Sequence, residues 1–215
     1  MNSSQKPTNK LTTPILLLSL LTLSFCAARK HTSSTGSYTV SGTVSGVEED
    51  TWIYLKSTTP PLLDSALVKN GRFEFQGQLH DKVLYTMIGF KGPFYTADGA
   101  FKEYRLSDAT VLWLENSQII LEGERGKLHE AKVTGSETQQ DFMQLLSLPP
   151  GGLEKIMSFI QQSPSSSFLS VFLLDKHKEA FGREETAKLF SLLSETRRET
   201  MYGRRISEYL QPNKE

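Results

Sequence analysis

The apolar residues of this chain change their spacing at Gly135, and that change restricts the fold more than any other feature. Before it the period is two. Tyr38, Val40, Gly42 and Val44 alternate with Thr39, Ser41 and Thr43, and Phe73, Phe75, Gly77 and Leu79 repeat the pattern, as strands with one buried face do. After Gly135 the spacing becomes helical: Phe142, Leu145 and Leu146 share one face, and Leu153, Ile156, Phe159 and Ile160 share another. Segregated strand and helix patterns predict an α+β chain rather than an alternating α/β one.

Turn chemistry divides the first part into seven or eight short strands. Glu48-Glu49-Asp50 turns the chain before a strand from Thr51 to Leu55. Thr58-Thr59-Pro60-Pro61 breaks it, and Ser65 to Val68 begins the next. Asn70-Gly71, between Val68 and Phe73, is the pair favoured in two-residue hairpins, where both positions need positive φ. Further strands are expected over Val83–Phe90, Val111–Leu114 and Gln118–Leu121, with His129–Thr134 closing the sheet. The expectation is an antiparallel β-sandwich or partly open barrel over residues 38–136, followed by a helical segment over 137–215. Within that segment Pro149-Pro150-Gly151-Gly152 ends the first helix. Phe168 to Leu174 is apolar around more than half a turn and is predicted to be buried.

The N-terminus reads as an export signal over residues 1–28. Lys6 and Lys10 precede an apolar run from Ile15 to Phe25, which fits a signal core of roughly 7–15 residues and falls short of the ~18 needed to span a bilayer. Leu23-Ser24-Phe25-Cys26 resembles a bacterial lipobox, with Phe25 where that motif prefers a small residue. It makes Cys26, the only cysteine in the chain, a lipidation candidate. Cleavage after Ala28 is the alternative and would release the protein to the periplasm. Residues 29–37, which include Thr32-Ser33-Ser34-Thr35-Gly36-Ser37, form a polar tether suited to an anchored domain. The expected location is the cell envelope, with the protein held to a membrane by lipid and facing the periplasm or the cell surface.

Several chemistries find no support in these residues. Lys plus Arg and Asp plus Glu number 24 each; without Lys6 and Lys10 the processed chain carries 22 basic and 24 acidic side chains, so no field gathers nucleic acid. His31, His80, His129 and His177 lack the spacing of a helical metal site, and no Gly-x-Ser-x-Gly or phosphate-cradling glycine loop occurs. Glu48-Glu49-Asp50 lacks the alternating ligands of a calcium loop. Arg197-Arg198 and Arg204-Arg205, interleaved with Glu195, Glu199 and Glu208, read as helix surface. No catalytic residue, metal or cofactor is therefore expected. One segment is unusual: Lys91–Arg105 is long for a connection and carries Phe94, Tyr95, Phe101 and Tyr104. These rings form a recognition surface, or they cap the open end of the sheet or form an extra hairpin.

Val40-Ser41-Gly42-Thr43-Val44, Asp64-Ser65 and Val68–Gly77 together resemble the N-terminal domain of unknown function in bacterial envelope thiol-disulfide interchange proteins. Trp113-Leu114-Glu115-Asn116 and Val133-Thr134-Gly135-Ser136 resemble its later strands. Ser163-Pro164-Ser165 and Gly203-Arg204-Arg205-Ile206 resemble the helical segment that follows it. In that family a thioredoxin-like domain with Cys-x-x-Cys usually comes next, whereas this sequence ends at Gln211–Glu215. Exchange needs a thiolate and a resolving cysteine, so the resemblance carries no redox activity to this chain. It implies an accessory or binding module for an envelope protein, peptide or glycan, with a separate thioredoxin-like protein as one partner. Two other readings are the truncated or split accessory half of a thiol-disulfide oxidoreductase whose thioredoxin-like catalytic domain is missing, and a hydrolase using surface carboxylates, for which no residue stands out.

Overall fold

The computed structural model describes Met1 and residues 36–58, 60–80 and 83–211; Cys26 and most of the tether lie outside the described residues. Among the described residues eight strands form two four-stranded sheets, and helices follow. The strands are β1 (Tyr38–Ser45), β2 (Thr51–Thr58), β3 (Pro61–Val68), β4 (Arg72–Gly77), β5 (Val83–Tyr95), β6 (Phe101–Glu115), β7 (Gln118–Glu124) and β8 (Lys132–Thr134). One sheet has the order β4-β1-β7-β8 and the other β3-β2-β5-β6. The architecture is α+β, with a two-sheet sandwich and no closed barrel.

Alternation makes the sandwich core. Val40 and Val44 of β1, Ile119 and Leu121 of β7, Ile53 and Leu55 of β2, Ile88 and Phe90 of β5, and Leu112 and Leu114 of β6 meet between the sheets. The intervening residues point outward, as period-two patterning dictates.

Three expectations are corrected. The sandwich is not wholly antiparallel, because β1 and β7 pair in parallel from Thr39↔Gln118 to Ser45↔Glu124. They are remote in sequence, so no hairpin forces them to oppose. The Asn70-Gly71 turn has its positive φ values of 51° and 69°, and Lys69 and Arg72 exchange both backbone hydrogen bonds at 2.9 Å. The strands then part after one bridge: β3 belongs to one sheet and β4 to the other, so the turn makes a corner of the sandwich. The break after Leu55 is also shorter than expected. β2 runs to Thr58 and pairs with β3 from Thr58↔Pro61 onward; Pro61 is tolerated as the first residue of an edge strand.

The helices are α1 (Glu137–Ser147), α2 (Leu153–Gln162), α3 (Phe168–Ser191), α4 (Glu195–Arg198) and α5 (Met201–Leu210). Hydroxyl caps start three of them: Ser136, Ser167 and Thr200 accept from the backbone N–H of Gln139, Ser170 and Gly203. Gly182 interrupts α3 at φ 74°, a conformation open to glycine at little cost. A second core joins these helices to the β5–β6 base, with Val83 and Trp113 among Phe159, Phe168, Leu169, Leu174 and Ile206. The apolar run from Phe168 to Leu174 is buried apart from the half-buried Phe172, as its sequence predicts, whereas Leu146 is exposed although it falls on the expected face of α1.

Because β6 is an edge strand, its free backbone groups need partners. Gln139 of α1 supplies them, its Oε1 accepting from the Trp113 N–H at 2.9 Å. Beside it the Glu115 carboxylate accepts from the N–H groups of Glu137 and Thr138, both at 2.9 Å, at the start of α1. The sheet thus fixes the position of the first helix.

Candidate functional site

The segment Lys91–Arg105 is the end of the β5–β6 hairpin. Both strands run past the positions expected for them, β5 beyond Phe90 to Tyr95 and β6 from Phe101 rather than Val111. Gly92 and Pro93 look like breakers in sequence. They are accommodated because β2 pairs with β5 only at Met87–Gly89, so β5 has a single neighbour at Pro93. The turn is closed by Thr96, whose N–H donates to the Ala100 carbonyl at 2.8 Å and whose hydroxyl bonds the Asp98 carboxylate. That hydroxyl holds the Asp98 carboxyl below its ordinary value. Gly99 takes φ 84° at the bend.

Register sorts the four aromatic residues into two groups. Pro93 faces Tyr104 and Phe94 faces Glu103, and then Lys102 is bulged out so that Tyr95 faces Phe101. The extra residue brings Phe101 onto the face that carries Tyr104. Tyr95 and Phe101 pack with ring centroids 6.1 Å apart at 79°, and Phe101 and Tyr104 at 5.3 Å and 58°. All three are exposed, at 53%, 54% and 65%. Phe94 lies on the opposite face, half-buried beneath the Arg105 guanidinium, which sits 3.2 Å from its ring centroid. The structure thus brings together Tyr95, Phe101 and Tyr104, and separates Phe94 from them. Sequence alternation alone misses this division because the Lys102 bulge carries no sequence signature.

A clamp holds the hairpin where it leaves the sandwich. Asp108 accepts from Arg125 Nη1 and from the Gly126 N–H, both at 2.6 Å, and from the Leu128 N–H at 3.0 Å. Burial alone would raise its carboxyl pKa; the two backbone N–H groups and Arg125 outweigh it and hold the value below the ordinary one. Sequence inspection passes over Asp108, since a lone acid in a strand announces nothing about the loop it faces.

Among the described residues no three His, Cys, Asp or Glu side chains are grouped to hold a metal, and no helix is long and apolar enough to cross a membrane. Residues 38–142 match the model of a family described as a domain of unknown function, DUF4369. The matched stretch covers the sandwich and enters α1, so the aromatic hairpin and its clamp lie within it. No curated protein and no solved structure matches the chain significantly.

Proposed function

We propose that this chain is a non-catalytic binding module of the cell envelope, held at a membrane through lipidated Cys26, that engages a protein or peptide with Tyr95, Phe101 and Tyr104. The observation that carries this reading is a contiguous exposed aromatic cluster at the end of a hairpin whose tip takes no part in either core. Clustered exposed aromatics mark interaction sites, and tyrosine supplies large contact area with little side-chain entropy to lose. The ring angles favour a partner with an apolar pocket. A flat sugar chain needs coplanar rings to stack on, whereas rings at 79° and 58° to one another form a knob.

The placement of the hairpin supports an anchored module. The chain enters β1 beside Ser117, whose carbonyl accepts from the Thr39 N–H at 3.0 Å. That is the base end of the hairpin. The tip stands about 40 Å away along β5, at ~3.3 Å per residue. A tether leading to Cys26 therefore joins the sandwich at the end remote from the aromatic tip. The resemblance to the accessory part of envelope thiol-disulfide interchange proteins makes a separate thioredoxin-like protein one partner to test.

A photo-crosslinking residue at Ala100 of the full chain in cells tests the surface. A discrete adduct is expected, lost when Tyr95, Phe101 and Tyr104 are all changed to alanine with melting unchanged. An adduct that survives the triple substitution overturns the reading. Intact mass tests the anchor: a mature chain beginning at Cys26 with added acyl mass is expected, and one beginning at Arg29 with none removes it. With a single cysteine, no insulin reduction is expected.

A further inference from the structure

Where the helices meet the base of β5 there is a cavity of about 290 Å³. Val83, Phe168, Met201 and Tyr202 supply its apolar wall, and Arg197 and Arg204 its positive charge; among the described lining residues Glu199 is the only carboxylate. Arg204 is committed in part to the Glu199 backbone carbonyl at 2.7 Å. Arg197 is the distinctive group. It is half-buried, its guanidinium carbon lies 5.6 Å from the Phe168 ring centroid, and its Nε donates to the Ser166 carbonyl at 2.5 Å.

No carboxylate of the described residues forms an ion pair with Arg197 within 4.0 Å. Burial lowers its pKa, and Glu115, Glu137 and Asp141 oppose that from a distance. Those acids are not all free to approach it: Glu115 accepts the two N–H groups of α1, and Asp141 accepts the Ser167 hydroxyl at 2.6 Å. Among the described residues, then, no acceptor is placed on the terminal nitrogens of this half-buried guanidinium, which lies beside an apolar hollow. A partly desolvated cation gains most from a carboxylate, which matches its planar fork.

We propose that this cavity binds a small amphipathic carboxylate, with the acid on Arg197 and an apolar group against Phe168, Val83 and Met201. A free aromatic or aliphatic acid and the C-terminal residue of a peptide share this chemistry. The volume, close to the ~300 Å³ at which ligand pockets begin, suits one such group. The site lies at the base of the hairpin, so it does not depend on the aromatic tip.

Binding to the full chain by calorimetry or ligand-observed NMR tests it, with 3-phenylpropionate, its neutral amide, and the peptide Ala-Ala-Phe bearing a free C-terminus as probes. The acid is expected to bind with a sub-millimolar Kd and the amide at least tenfold more weakly. Equal or tighter binding of the peptide assigns the site to peptide ends, and binding of the acid alone assigns it to free acids; both support the proposal. Arg197→Gln should weaken the acid at least tenfold, with Arg197→Lys intermediate. Because Arg197 also bonds Ser166, Met201→Trp provides a second variant: it fills the mouth of the cavity from an exposed position, and should reduce binding tenfold without changing the melting temperature. The hairpin triple-alanine variant should bind the acid like the parent, which keeps this result separate from the fate of the hairpin. Failure of both probes to bind at several millimolar, equal binding of acid and amide, or indifference to both Arg197→Gln and Met201→Trp overturns the proposal.

Discussion

The base and the tip of the β5–β6 hairpin carry the same kind of cross-strand aromatic pair in opposite surroundings. At the base Tyr85 faces Trp113, with centroids 5.2 Å apart at 73°; at the tip Tyr95 faces Phe101, 6.1 Å apart at 79°. What differs is the cover. Phe142, Phe168 and Phe172 close over Trp113 and leave it 2% exposed, while nothing in the described residues closes over Phe101. Pairing across a hairpin is therefore a local matter, settled by register. Whether a pair holds the fold or stays free for a partner depends on which distant segment returns to it.

The largest expected effect comes from removing the covered ring. Trp113→Ala should cost about 3–5 kcal/mol and lower the urea midpoint accordingly, since it opens the junction between sheet and helices. The buried indole nitrogen has no hydrogen-bond partner, so the loss would come from packing. A cost under about 1 kcal/mol, the size of an ordinary surface change, would break the comparison by showing that the base is no more structural than the tip.

An intermediate effect is expected at the junction between the two regions. Asp108→Asn should cost about 2 kcal/mol, because a partly buried charge-assisted cluster loses its acceptor charge. The same group predicts a pH dependence. Its folded pKa lies below the ordinary aspartate value, so its contribution is present above that ordinary value and is lost as pH falls through the folded one. Urea midpoints measured from pH 6 downward should show an acid decline that is shallower in Asp108→Asn. An identical decline in both proteins would remove Asp108 as the group responsible.

The smallest effects on stability belong to the tip. Tyr95→Ala, Phe101→Ala and Tyr104→Ala should each change stability by no more than about 0.5 kcal/mol, as exposed positions do. Phe94→Ala should be somewhat more costly, because the ring packs under Arg105. If all four cost as much as Trp113→Ala, the tip is covered in solution and the recognition surface is lost. If only the exposed three abolish crosslinking, the comparison sharpens into a division of labour along one hairpin.

Much was decided locally and is legible in the chain itself. Val40 and Val44 are buried because alternate side chains on a strand share a face, and Asn70-Gly71 turns because those two residues accept positive φ at little cost. Phe168 to Leu174 is buried because a helix apolar on most sides has no face to give to water. The aromatic cluster was visible as a composition. Tertiary structure decided the rest, since each of these outcomes depends on partners remote in sequence. The parallel β1–β7 pair, the use of the Asn70-Gly71 turn as a corner, and the continuation of β5 through Gly92 and Pro93 follow from which strands lie alongside. So do the clamp on Asp108 by Arg125, Gly126 and Leu128, and the placing of the Arg197 guanidinium beside its cavity with no ion-pair partner among the described residues. Period and turn propensity report on neighbours a few residues apart; they are silent about a charge and an acceptor that meet only after the chain has folded back on itself.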